Sequence, residues 1–106
     1  MPGQSSENLT DNDLLRAKIN LETSRINWLD LQTFFARGQV VQVSSALDLV
    51  EVALSLNHDD KQAFEQWLKD GSVSYVTDSL AQQWFESKKE LWSVVVAPWV
   101  IVQDKD

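Results

Sequence analysis

Residues 91–103 read LWSVVVAPWVIVQ, the longest apolar run of the chain and the place of two of its five tryptophans. Apolar residues fall on both parities: Trp92, Val94, Val96, Val100 and Val102 on one, Leu91, Val95, Ala97, Trp99 and Ile101 on the other. A strand wetted on one side would alternate instead. Continuous Val/Ile-rich strands belong to sheets covered on both faces, usually parallel and backed by helices. The run is too short for a membrane helix, which needs about 20 apolar residues. Pro98 cannot donate to a ladder, so two segments are expected, 92–97 and 99–103, hinged at Ala97-Pro98 through a bulge or a cis bond.

Upstream of the run the pattern is helical. Thr77 and Asp78 offer caps for a helix to about residue 88, with Leu80, Ala81, Trp84 and Phe85 on one face, and SVSYV (72–76) before it reads as a strand. Gly71 closes a helix that begins at His58-Asp59-Asp60. Residues 45–56 form another helix, preceded by a short strand, QVVQV (39–43). Asn27 can cap a helix over 28–37 with Trp28, Leu31, Phe34 and Phe35 on one face and Gly38 as its stop, and a first helix starts after Thr10-Asp11-Asn12 and ends near residue 24. Superimposing Gly38 on Gly71 also matches Val40 with Val73, Val43 with Val76 and Leu47 with Leu80, so both halves share one grammar of helix, Gly, strand and capped helix.

Strands separated by helices imply crossover connections. The expectation is a small single α/β domain with a three-stranded, largely parallel sheet and about five helices. The C-terminal strand is placed in the centre, and the more polar QVVQV and SVSYV at the edges. The domain spans residues 11–103, between a polar, disordered N-terminal tail (1–10) and a short C-terminal tail (104–106).

Composition narrows the function. The chain has 106 residues, no cysteine and a formal charge of -7. The absence of thiols rules out disulfides and thiolate metal sites. Nucleic-acid and anionic membrane surfaces are disfavoured by the charge, because affinity for phosphates comes from Lys and Arg. An opening without a basic and then apolar stretch points to the cytoplasm.

The segments LDLVEVAL (47–54), Trp67-Leu68 through Gly71 to Val73, and above all LWSVVVAPWVIVQ (91–103) resemble the small bacterial proteins grouped as domain of unknown function 2288. The resemblance covers roughly residues 14–103. It implies a stand-alone bacterial domain of unassigned role, and it carries over no catalytic or ligand residues.

Catalytic grammar is missing. His58 is the single histidine. Beside Asp59 and Asp60 it reads as a helix junction, since a zinc site needs three or four ligands. There is no GxSxG elbow, no DxDxDG loop and no Gly-rich phosphate loop. No cofactor or metal is expected, and the chain reads as non-enzymatic.

Two candidate sites remain. On the third helix, apolar residues cover roughly 220° of arc, leaving Asp48, Glu51 and Ser55 as a polar stripe. With Trp28, placed near a helix start and so exposed, these residues define a candidate surface for a protein partner or a homo-oligomer. The alternative is a small-ligand site or minimal enzyme at Ser44, Ser45, Thr77 and Asp78, which follow the first two strands directly, where ligands gather in open parallel sheets. The same residue types are ordinary N-caps, and Asp48 and Asp78 would repel an anion there. A third reading, an acidic mimic of nucleic acid, requires carboxylates arrayed at phosphate-like spacing.

Overall fold

The computed structural model describes residues 10–105. Their elements, in order, are α1 (Asp11–Glu22), β1 (Ser24–Asn27), a 3-10 turn (Trp28–Leu31), α2 (Gln32–Ala36), β2 (Val40–Val43), α3 (Leu49–Asn57), α4 (Lys61–Asp70), β3 (Val73–Tyr75), α5 (Asp78–Ser87), β4 (Glu90–Val96) and β5 (Trp99–Gln103). The tail expected over residues 1–10 lies outside the described residues except for Thr10, which caps α1. Its hydroxyl accepts from the Asp13 amide at 3.0 Å, and the Asp13 carboxylate accepts from the Thr10 amide at 3.1 Å, a reciprocal capping box.

The sheet corrects the expected architecture. It has five strands in the order β1-β4-β5-β2-β3 and is mixed, and only β2 and β5 are parallel neighbours. Three physical reasons account for the difference. First, the run at 91–103 turns back on itself at Ala97-Pro98, whose peptide bond is cis, so β4 and β5 form an antiparallel hairpin with Val96 opposite Trp99. Second, β2 and β3 are joined by two helices. One helix returns the chain to the end of the sheet where the strand began, whereas α3 and α4 together bring it back to the end it left, so β3 enters antiparallel, with Val43 opposite Val73. Third, residues 24–27, which fall between the first two expected helices, form a strand that pairs with β4 from Ser24 opposite Ser93 to Asn27 opposite Glu90.

β5 is the middle strand, and Val100, Ile101, Val102 and Gln103 are all buried. β2, expected at an edge, lies between β5 and β3. Side chains alternate across the sheet and fill two cores. On one face Val41, Val43, Val73, Val94, Val96 and Ile101 meet Ile19 of α1 and Leu49, Val52, Ala53 and Leu54 of α3, with Phe64, Trp67 and Leu68 of α4 packed alongside. On the other face Val40, Leu91, Val100 and Val102 meet Trp28, Leu31, Ala81 and Trp84.

Trp28, expected to be exposed, has no accessible surface at all. It stands edge-on to Phe35 at 5.4 Å and Trp84 at 5.1 Å between ring centroids. Its amide donates to the Lys89 carbonyl at 2.7 Å, which fixes the 3-10 turn beside the start of β4. A residue at a helix start is exposed only when that start projects from the sheet, and here β1 delivers it directly onto the sheet face.

Gly38 and Gly71 follow α2 and α4 at φ +70° and +82°, where an L side chain is strained, so the stop signals read in the sequence are the residues that let the helices end. Asp48, Asp60 and Thr77 cap α3, α4 and α5 through the amides of Val50, Ala63 and Leu80.

Two substitutions test these cores by urea denaturation. Val96→Asp places an unpaired carboxylate in the core on the α1/α3 face, beside its hairpin partner Trp99, and is expected to cost about 3 kcal/mol or more. Ser93, 1% exposed, buries a hydroxyl with no hydrogen-bond partner among the described residues. Ser93→Ala removes that unmet polar atom and is expected to leave stability unchanged or to raise it by up to about 1 kcal/mol.

Candidate functional site

Because β2 and β5 are parallel, their carboxyl ends lie together, and a cleft of about 450 Å³ opens beside them on the α1/α3 face. Its wall is built from three directions. β4 and β5 contribute Trp92 and Gln103, α1 contributes Asn20 with Thr23 just beyond it, and the loop into α3 contributes Leu47 and Asp48.

Gln103 is the pivot. It ends an apolar strand and is 4% exposed. Its amide nitrogen donates to the carbonyls of Ser44 and Leu47, both at 2.8 Å. Two carbonyl acceptors fix the orientation of the amide group, since only the NH2 end can meet both. The β2–α3 loop is thereby tied to the middle strand, and the Gln103 Oε1 accepts no hydrogen bond from the described residues.

The neighbouring groups are held with similar economy. The Thr23 hydroxyl donates to the Ile19 carbonyl at 2.8 Å, and Asp48 Oδ1 accepts from the Val50 amide at 2.9 Å. The Arg25 guanidinium lies over the Trp92 ring, 5.4 Å from its centroid. The gap between α1 and α3 is set by Arg16, whose Nε and Nη2 meet the two carboxylate oxygens of Glu51 at 2.5 and 3.2 Å, while Nη1 reaches Asp13 at 3.4 Å. Hydrogen bonding and charge from Glu51 raise the Arg16 pKa above its ordinary value.

The structure separates the four residues of the expected ligand site. Ser44 follows β2 and does not line the cleft; its carbonyl accepts from Gln103, its amide donates to the Ser72 carbonyl at 2.8 Å, and its hydroxyl accepts from the Ala46 amide at 3.2 Å. Ser45 is exposed in the following turn. Thr77 and Asp78 lie at the opposite end of the sheet, because β3 runs antiparallel to β2, and Thr77 is occupied as the cap of α5, accepting from Leu80 at 3.1 Å.

The expected interaction surface is also redistributed. Asp48 caps α3, Glu51 is clamped by Arg16, and Ser55 is half-buried. The wide apolar arc of α3 is covered within the chain, with Leu49, Val52, Ala53 and Leu54 buried and Val50 and Leu56 packed against the same core.

His58 caps the end of α3 and its Nε2 lies 2.6 Å from Asn12 Oδ1. Asp60 is an N-cap, so HDD is a helix junction. No group of three or more His, Cys, Asp or Glu placed to hold a metal ion occurs among the described residues.

The cleft residues that sequence reasoning missed are Asn20, Thr23, Trp92 and Gln103. Only Gln103 carried a signal, as the polar end of an otherwise apolar run.

A family model described as protein of unknown function (DUF2288) matches residues 14–104. The chain is also similar to a protein of known structure, PA1075 from Pseudomonas aeruginosa, solved in solution by NMR. The two share 43% identity over 99% of this chain and 94% of that one, with a TM-score of 0.76. No curated protein matches it.

The capping box that starts α1 makes one wall of the cleft sensitive to acid. Hydrogen bonds from the Thr10 amide and hydroxyl lower the Asp13 pKa below its ordinary 3.8. A lowered folded-state pKa contributes stability that is present above the unfolded value and lost as pH falls through the folded one. The melting temperature of Asp13→Ala is expected to lie below that of the parent at pH 6, and the gap should close as pH drops below about 4. A gap that is constant with pH would mean that the Asp13 charge contributes nothing.

Proposed function

The chain belongs to the DUF2288 family of proteins of unknown function, and we propose that it is a small-ligand-binding protein whose site is the cleft at the carboxyl ends of β2 and β5. The observation that carries this reading is Gln103. A side chain nearly removed from water, with both amide hydrogens committed and its acceptor oxygen free, stands in the wall of a cleft large enough for a small molecule. The position obeys the rule that ligands in open α/β sheets gather beyond the carboxyl ends of parallel strands.

Binding is favoured over catalysis by the chemistry of the wall. Among the described residues its one carboxylate, on Asp48, is engaged as a helix cap, and the remaining polar groups are amides, a hydroxyl, the Trp92 indole N–H and the Lys105 ammonium. The proposed setting is the cytoplasm, in keeping with a chain that has no cysteine; no described helix is long and apolar enough to cross a membrane.

A second reading, contact with a protein partner or another copy, is supported by α1. Leu14 and Leu21 are 55% and 85% exposed and sit seven residues apart, two turns along one face. Light scattering of the parent and of Leu21→Glu tests it: a dimer that Leu21→Glu dissociates favours it, and a monomer in both removes the self-association form.

The ligand reading is tested by titrating a library of small polar fragments into 15N-labelled protein. Binding fragments are expected to shift the Gln103 side-chain amide and the Trp92 indole together with the amides of Asn20 and Thr23. Shifts confined to other surfaces would refute the assignment.

A further inference from the structure

The hydrogen-bond state of the cleft wall specifies what kind of ligand it takes. We infer that the cleft recognises a cationic N–H donor, an ammonium or guanidinium group, an inference that rests on the cleft being the binding site. Three polar side chains of the wall have their bonding fixed by the fold, and each is left with acceptor capacity alone. Gln103 spends both amide hydrogens on the Ser44 and Leu47 carbonyls and retains Oε1. Thr23 spends its one hydroxyl hydrogen on the Ile19 carbonyl and retains its oxygen lone pairs. Asp48 engages Oδ1 with the Val50 amide and keeps Oδ2, along with a full negative charge. A ligand that presented acceptors to these groups would meet like against like, whereas N–H donors satisfy all three; Asn20, whose side chain bonds to none of the described residues, has a donor and an acceptor and can turn its carbonyl to the same ligand.

Charge and aromatic content agree with this choice. A cation gains from Asp48 by a charge-assisted bond, and Trp92 can offer it only the ring face that the Arg25 guanidinium, 5.4 Å from the centroid, does not cover. The feature that would attract an anion, the positive end of α3, is covered by its own Asp48 cap. Among the described residues Lys105 is the one cation of the wall; it stands on the exposed segment past β5, where a lysine stem is long enough to keep its charge in water. The net charge of -7 adds a field that concentrates cations.

The test is calorimetric titration of the full chain with agmatine, with the blocked peptide acetyl-Gly-Arg-Gly-amide, and with sodium phosphate and sodium acetate. Agmatine is expected to bind saturably and to shift the Gln103 side-chain amide in a parallel NMR titration. Asp48→Asn keeps an equally good N-cap and removes only the charge. It is expected to weaken agmatine roughly tenfold at an unchanged melting temperature, and Lys105→Met is expected to tighten it. Comparable binding of the peptide would identify an arginine side chain as the source of the group, and agmatine binding without peptide binding a free small molecule. Phosphate or acetate binding in the cleft, strengthened by Asp48→Asn, would overturn the cationic assignment and leave the ligand site standing. Failure of agmatine to bind overturns the inference, and if the fragment library also leaves Gln103 and Trp92 unshifted the ligand reading falls with it.

Discussion

β5 is paired along one side with β4 and along the other with β2, and both of its faces are closed to water. The other elements can be understood as means to that end. A strand with no free edge must find partners on both sides, and a strand with Ile101 on one face and Val100 and Val102 on the other must be roofed twice. α1, α3 and α4 form one roof, and α5 with Trp28 and α2 forms the other. With so little polarity in its interior, the domain depends on burial. At about 25 cal/mol per Å² of apolar surface removed from water, two full cores outweigh exposed ion pairs such as Arg16–Glu51, which contribute mainly register between helices.

The sequence was most readable where a local rule governed a local outcome. Caps at Asp60 and Thr77, stops at Gly38 and Gly71, and the amphipathic helices over 61–70 and 78–87 were visible because side-chain chemistry within a few residues decides them. The sheet was less readable because its decisions are made at a distance. Whether LWSVVVAPWVIVQ is one bent strand or two antiparallel ones depends on the partners available to it, and both arrangements place apolar residues on both parities. β1 is four residues of ordinary polarity and became a strand only because β4 offered an edge. The antiparallel entry of β3 was implicit in the two helices that precede it, a parity argument that the simple rule of strand, helix and parallel strand passes over.

The same distinction explains the site. Ser44 and Thr77 looked equivalent in sequence because each follows a strand, but they were separated once one of those strands reversed. Trp28 looked exposed because a helix start is commonly wet. The groups that line the cleft come from α1, the β2–α3 loop, β4 and β5, and no short window contains them. Gln103 is a polar residue closing a run of valines and isoleucines, a signal without meaning until the loop after β2 is seen to end beside it. One side chain thus ties the last strand to a loop formed from the middle of the chain and stands in the wall of the cleft.

The central position of β5 also fixes an order of events during synthesis. β5 leaves the ribosome after all the other strands of the domain, yet β4 and β2 are adjacent to it and not to each other, so neither half of the sheet can join the other until it arrives. Until then β1 with β4 and β2 with β3 can pair only as separate halves, each with an unpaired edge. The β2–β3 half has all its residues once Tyr75 is made, so the interval in which a chaperone has an apolar face to hold runs from there until β5 is complete at Gln103.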